Sequence, residues 1–87
     1  MRILLLGGIG EAIELARALT PLHAVSYSVA GKGRRPELPC PTRVGGFGGA
    51  EGLTAFLNAR GIALLIEDLK GVIRLNTYVG LATALPL

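Results

Sequence analysis

The sequence predicts an α/β fold built on a parallel sheet, and three observations carry that expectation. Strand-like and helix-like segments alternate along the 87 residues. Residues 2–6, apolar throughout after Arg2, and 62–66 form continuous runs rather than alternating ones, the mark of strands buried on both faces. Glycine-rich turns fall where strand gives way to helix, at Gly7-Gly8-Ile9-Gly10 and Gly45-Gly46-Phe47-Gly48-Gly49, as short α/β connections require.

Each element has its own justification. After the first strand, residues 2–6, the period changes at Gly10: Ala12, Ile13, Leu15, Ala16 and Leu19 form an apolar face opposite Glu11, Glu14 and Arg17, so a helix is predicted. Glu14 stands three residues before Arg17, a weakly favourable helical pair. Thr20-Pro21 ends this helix, because proline disfavours a helical residue before it. Residues 24–30, Ala-Val-Ser-Tyr-Ser-Val-Ala, are rich in β-formers and predict the second strand, with Tyr27 packing inward. Residues 31–42 read as a loop, and Arg43-Val44 as a short third strand that breaks at the five-residue glycine segment. A second helix is predicted over residues 51–60, burying Leu53, Phe56 and Leu57 and capped by Gly61. A buried strand over 62–66 follows. Glu67-Asp68-Leu69-Lys70-Gly71 reads as a solvated turn, residues 72–79 as a further strand, and 80–87 as an apolar tail. The expected organisation is a Rossmann-like domain over residues 1–66 and a divergent tail over 67–87.

Composition excludes several classes. The chain is 51% hydrophobic and 17% charged, too apolar for intrinsic disorder. Its 13 glycines have no Gly-X-Y period, which excludes collagen and points to tight turns. One cysteine, Cys40, forbids an internal disulfide or a zinc site of several cysteines, and no metal site is expected. A reducing, cytoplasmic location suits that count. The opening apolar run is too short for a signal peptide. Residues 72–87, interrupted by Arg74 and Asn76, fall short of the ~18–20 needed to span a bilayer, so no membrane association is expected. A chain of this length buries only about 60–65% of its unfolded surface, and one small domain accommodates it.

The glycines after the first strand occupy the place where dinucleotide folds hold a pyrophosphate: glycine permits close backbone approach, and the helix start offers free N–H groups. The spacing departs from G-x-G-x-x-G because Ile13 stands where a third glycine would. A plain strand-to-helix turn is the alternative, but three glycines exceed what it needs. Past the second strand, where NAD-binding domains carry an acid for the ribose hydroxyls, the sequence reads Ser28-Val29-Ala30-Gly31-Lys32-Gly33-Arg34-Arg35. Three cations and no carboxylate favour the 2′-phosphate of NADPH over NADH. A solvated loop is the bland reading. A nucleic-acid patch is poorer, since the chain has four aromatics (Tyr 2, Phe 2) and none interleaves with these cations. Gly45-Gly46-Phe47-Gly48-Gly49 can press backbone against a flat ligand, or form a flexible loop with Phe47 tucked into the core. The two stand level.

Together the three segments resemble the N-terminal part of the precorrin-6A reductases. Gly7-Gly8-Ile9-Gly10-Glu11-Ala12 is similar to that family's Gly-Gly-Thr-Gly-Glu-Ala start, with Ile9 in place of threonine. Ser28-Val29-Ala30-Gly31-Lys32 is similar to Ser-x-Ala-Gly-Arg, and Val44-Gly45-Gly46-Phe47-Gly48-Gly49 matches Val-Gly-Gly-Phe-Gly-Gly. The likeness covers residues 1 to 66. It implies NADPH-dependent reduction of one double bond in a corrin precursor, in cobalamin biosynthesis, with a tetrapyrrole substrate bound between two α/β domains. After residue 66 the family's Asp-Ala-Thr-His-Pro-Phe-Ala gives way to Glu67-Asp68-Leu69-Lys70-Gly71, so a truncated or frame-shifted form is expected. The alternative is a non-catalytic NADP-binding module or inactive fragment.

The expected cofactor residues are Gly7, Gly8, Ile9, Gly10, Glu11 and Ala12 at the pyrophosphate. Lys32, Arg34 and Arg35 are expected at the 2′-phosphate, and Ser28, Ala30, Gly31, Gly46, Phe47 and Gly48 are further expected cofactor-binding residues. No catalytic acid or base can be named: His23 has no ligand-forming neighbour, Cys40 no activator, and Glu67-Asp68 no basic partner. Hydride transfer asks mainly for positioning. The apolar tail is a candidate for self-association.

Overall fold

The computed structural model describes residues 1–7, 10–29, 35–69 and 72–77, with 68–69 and 72–77 as backbone. Seven elements follow in order: β1 (Arg2–Gly7), α1 (Gly10–Leu19), β2 (Ala24–Val29), β3 (Thr42–Val44), α2 (Gly49–Arg60), β4 (Leu64–Leu69) and β5 (Val72–Thr77). They form one five-stranded sheet of order β3-β2-β1-β4-β5. The first four strands are parallel and β5 lies antiparallel to β4. The expected Rossmann-like α/β sheet is thus present, with the chain returning to the far side of β1 after β3.

Strand alternation divides the apolar residues between two faces, each under a helix. Ile3 and Leu5 of β1, Val25, Tyr27 and Val29 of β2 and Ile66 of β4 pack with Ala12 and Ala16 of α1. Leu4 and Leu65 face the other way and meet Leu57 of α2 and Ile62. This explains the unbroken apolar run of β1: as the central strand it has no polar face. Tyr27 is fully buried, as its place in β2 predicts. Ile13, Leu15 and Leu19 flank the first cluster from α1. On the opposite surface of that helix Arg17 and Glu14 approach to 3.7 Å with side chains 55% and 78% exposed, a contact worth little in water.

Helix α2 ends in a Schellman motif. Gly61 takes φ 62 and ψ 39, its N–H donates to the Asn58 carbonyl, and the Ile62 N–H donates to the Leu57 carbonyl. Ile62 and Leu57 then pack together in the second cluster, the apolar contact typical of this cap.

Several boundaries differ from the sequence reading; β1 runs on to Gly7 and β3 begins at Thr42, each one residue longer than expected. α2 begins at Gly49 rather than residue 51, because Gly48, at φ 83, turns the chain into the helix directly. β4 begins at Leu64 rather than 62, since Ile62 is occupied in the cap. Glu67, Asp68 and Leu69 are strand, not turn: Glu67 lies opposite Leu6 on one side and Arg74 on the other. Pairing of Glu67 on both sides, and of Asp68 and Leu69 with β5, holds these residues extended despite the two carboxylates. The sheet therefore runs through residue 66 without a break, and Val72–Thr77 is its fifth strand. Tyr78, Val79 and the apolar tail over 80–87 lie outside the described residues.

Candidate functional site

Parallel register brings the three sequence-predicted segments to one edge. Gly7 pairs with Val29 and Val29 with Val44, so β1, β2 and β3 end in a single row. The connections leaving that row are the glycine turn, the basic loop and the five-residue glycine segment. The row is tied laterally where the Gly45 N–H donates to the Val29 carbonyl at 2.9 Å. Ligands of open parallel sheets sit beyond this carboxyl edge.

The glycines here fall into two kinds. Gly7 and Gly52 are demanded by the fold. A Cβ on Gly7 would collide with the Ala12 Cβ and come within 2.6 Å of the Tyr27 hydroxyl, and one on Gly52 would strike the Phe47 carbonyl. Gly7 thus lets α1 sit directly on the end of β1. Gly10 and Gly46 are different: among the described residues a Cβ on either meets nothing within 4 Å, and neither has a positive φ. Packing does not explain them. Gly45, Gly48 and Gly49 also face open space, but their φ values of 125, 83 and 77 are reasons of their own.

The remaining predicted residues are placed as follows. Glu11 and Ala12 stand in the first turn of α1, Glu11 exposed and Ala12 buried. The acid there complements the positive end of the helix dipole. Ser28 is 3% exposed in β2. Arg35 is exposed, and Phe47 is half-buried between the exposed Gly46 and Gly48. Gly8, Ile9, Ala30, Gly31, Lys32 and Arg34 lie outside the described residues.

One residue that sequence reasoning passed over organises the third loop. The Arg43 guanidinium donates through one nitrogen to the Ser28 hydroxyl at 3.2 Å and the Gly45 carbonyl at 3.1 Å, and through the other to the Gly46 carbonyl at 3.2 Å. Its Cζ lies 4.0 Å from the centre of the Phe47 ring and 5.5 Å from that of Phe56. The two rings meet edge-on at 5.1 Å. Phe47 is therefore neither free nor a plain core residue: it is one wall of a cation–π stack that shapes the loop. The signal available in the sequence was an arginine two residues before Gly45-Gly46-Phe47, read only as part of a strand.

A separate cleft of about 380 Å³ opens at the opposite edge of the sheet, where the strands begin, among Arg2, His23, Ala24, Cys40, Pro41 and Arg60. His23 and Cys40 thus lie away from the glycine loops. Among the described residues no group of three or more His, Cys, Asp and Glu side chains could hold a metal, and no helix is long and apolar enough to cross a membrane.

Residues 2–68 match the family described as Precorrin-6x reductase CbiJ/CobK. The chain belongs to the precorrin-6x reductase family. Among curated members, a precorrin-6A reductase of Sinorhizobium sp. is 48% identical over 69 residues, which cover 76% of this chain and 26% of that protein. The Rhodococcus erythropolis precorrin-6A reductase is 45% identical over 69 residues, covering 76% and 28%. A solved structure, CobK precorrin-6A reductase, superposes with a TM-score of 0.69 at 41% identity over 76% of this chain and 27% of that one. The chain thus spans about a quarter of the length of these precorrin-6x reductase relatives, and the shared quarter includes all three loops at the carboxyl edge.

Proposed function

We propose that this chain binds NADPH along the carboxyl edge of its sheet and serves the reduction of precorrin-6A, a tetrapyrrole, in cobalamin biosynthesis. The observation that carries the reading is the row Gly7–Val29–Val44, which sends three ligand-type loops from one edge in a chain of this family. The exposed Gly46 and the open space beside Gly10 fit a flat, phosphorylated ligand, because both leave backbone accessible where the fold itself does not require glycine.

In this reading Gly7, Gly8, Ile9, Gly10, Glu11 and Ala12 flank the pyrophosphate, with the start of α1 supplying N–H donors. Lys32, Arg34 and Arg35, after Ser28, Ala30 and Gly31, receive the 2′-phosphate, where their charge distinguishes NADPH from NADH. Gly46, Phe47 and Gly48 line the third side. When bound, NADPH supplies the hydride. The residues of this chain bind and orient it, and none is assigned a proton.

Titration with NADPH and NADH, followed by nicotinamide fluorescence, tests the reading. NADPH is expected to bind more tightly, and the triple change of Lys32, Arg34 and Arg35 to alanine to abolish the preference. Equal affinities in the unaltered protein, or no binding of either nucleotide, would overturn it. A second reading, nucleotide binding without turnover, is favoured by one observation: the strand beside β4 is the antiparallel β5, where a doubly wound sheet would continue with a parallel strand. NADPH oxidation on addition of precorrin-6A separates the two.

A further inference from the structure

The geometry points to Arg43 as a positioning residue that turns two backbone N–H groups of the glycine loop toward an anionic oxygen of the ligand. The inference rests on the reading of this edge as a nucleotide site. In a trans peptide unit the carbonyl of one residue and the N–H of the next point in opposite directions. Arg43 holds the carbonyls of two consecutive residues, Gly45 at 3.1 Å and Gly46 at 3.2 Å. The N–H groups on the far sides of those two peptide planes belong to Gly46 and Phe47, and both are thereby aimed away from the guanidinium. Among the described residues neither meets an acceptor, whereas the preceding N–H, of Gly45, is bonded to Val29. Gly46 is exposed, so the first of these donors is open to a ligand.

Adjacent outward N–H groups make a concavity suited to an anion. The guanidinium behind them adds a positive charge, and the acceptors it meets are a hydroxyl and two carbonyls, all neutral. The matching chemistry is a phosphate or carboxylate oxygen. Lysine cannot substitute: its single ammonium lacks the planar fork that spans two carbonyls and a hydroxyl while stacking on Phe47. The same contacts explain why Ser28, at 3% exposure, carries a hydroxyl at all: it accepts from Arg43 and fixes the fork against β2.

The test follows amide resonances of the ¹⁵N-labelled chain during titration with inorganic pyrophosphate, with citrate and with NADPH, in the unaltered protein, Arg43→Lys and Arg43→Met. Pyrophosphate, or citrate if the anion is a carboxylate, is expected to move the Gly46 and Phe47 resonances of the unaltered protein. Both variants should lose those shifts and bind the same anion about tenfold or more weakly, as expected for lost charge-assisted hydrogen bonds. Arg43→Lys keeps the charge and the stem over Phe47, so its thermal midpoint should stay near that of the unaltered chain. Anion-independent Gly46 and Phe47 resonances in the unaltered protein overturn the inference, whatever the variants do. So does Arg43→Lys binding as tightly as arginine, since charge alone would then suffice. If NADPH leaves every resonance unmoved while pyrophosphate or citrate still shifts Gly46 and Phe47 in an Arg43-dependent way, the nucleotide reading fails and the positioning role stands.

Discussion

Gly52, in the first turns of α2, should respond to alanine with the opposite sign to the one helix propensity dictates. In an ordinary exposed helix, replacing glycine by alanine stabilises by about 1 kcal/mol. Here the added Cβ would strike the Phe47 carbonyl, with the carbonyl carbon only 2.6 Å away. The obstacle is backbone, not a side chain that can rotate aside. Relief requires moving α2 or the loop that Arg43 and the two phenylalanines hold in place. Overpacking of this kind costs about 1–3 kcal/mol, occasionally more, and the collision is severe enough to place Gly52→Ala at or beyond the upper end. Subtracting the propensity gain leaves a net loss of about 2 kcal/mol or more. For a domain of this size that is a fall in midpoint of roughly 8–16 °C or more. Thermal and urea denaturation of the two proteins measure it, and the same variant should bind nucleotide more weakly because the loop has been displaced. A midpoint that rises would refute the reasoning, since it would mean that nothing rigid stands where the Cβ must go.

The contrasting pair is Gly10→Ala and Gly46→Ala: with no atom of the described residues within 4 Å of either Cβ, denaturation midpoints should hold or rise slightly, while NADPH affinity falls in the titration described above. Gly61→Ala should cost about 1 kcal/mol because alanine must adopt the left-handed conformation at φ 62, and Gly61→Asn should cost less. Leu5→Ala, at a fully buried position of the first cluster, should cost about 2–5 kcal/mol, a large share of the ~4–13 kcal/mol expected for a chain of this length. Glu14→Gln should leave the midpoint within about 2 °C, since an exposed pair contributes little.

How far the sequence discloses this molecule depends on the range of the interactions involved. β1, α1 and β2 are legible because period and composition are local properties: an unbroken apolar run, a 3.6-residue stripe, a β-rich segment ended by cations. The row of loops is also legible, since parallel α/β connections send their strands the same way. The end of β4 is not. Glu67 and Asp68 look like a turn until Leu6 on one side and Arg74 on the other are known to pair with Glu67, and those partners are distant in the chain or beyond the apparent break. Arg43 is missed for a related reason. Its partners are a hydroxyl in the neighbouring strand and two carbonyls of a loop that folds back over it, and no periodicity reports a loop's return path. The two kinds of glycine likewise look identical as letters, and only the position of Phe47 or Tyr27 tells them apart.

The place of β1 in the sheet has a consequence for how the chain assembles. β1 precedes the other four strands of this sheet in the chain yet lies at the centre, and Ile3 and its partner Leu64 are sixty-one positions apart. During synthesis at about 5–20 residues per second, the Ile3–Leu6 segment waits roughly 3–12 s before its second neighbour exists. Through that interval it can pair with β2 on one side, leaving its other edge and the Leu4 face uncovered. Closing the sheet by so distant a contact also carries a loop-closure cost that slows folding relative to local hairpins. The central strand is therefore both the best-protected part of the finished domain and the segment most exposed to mispairing while the chain is being made.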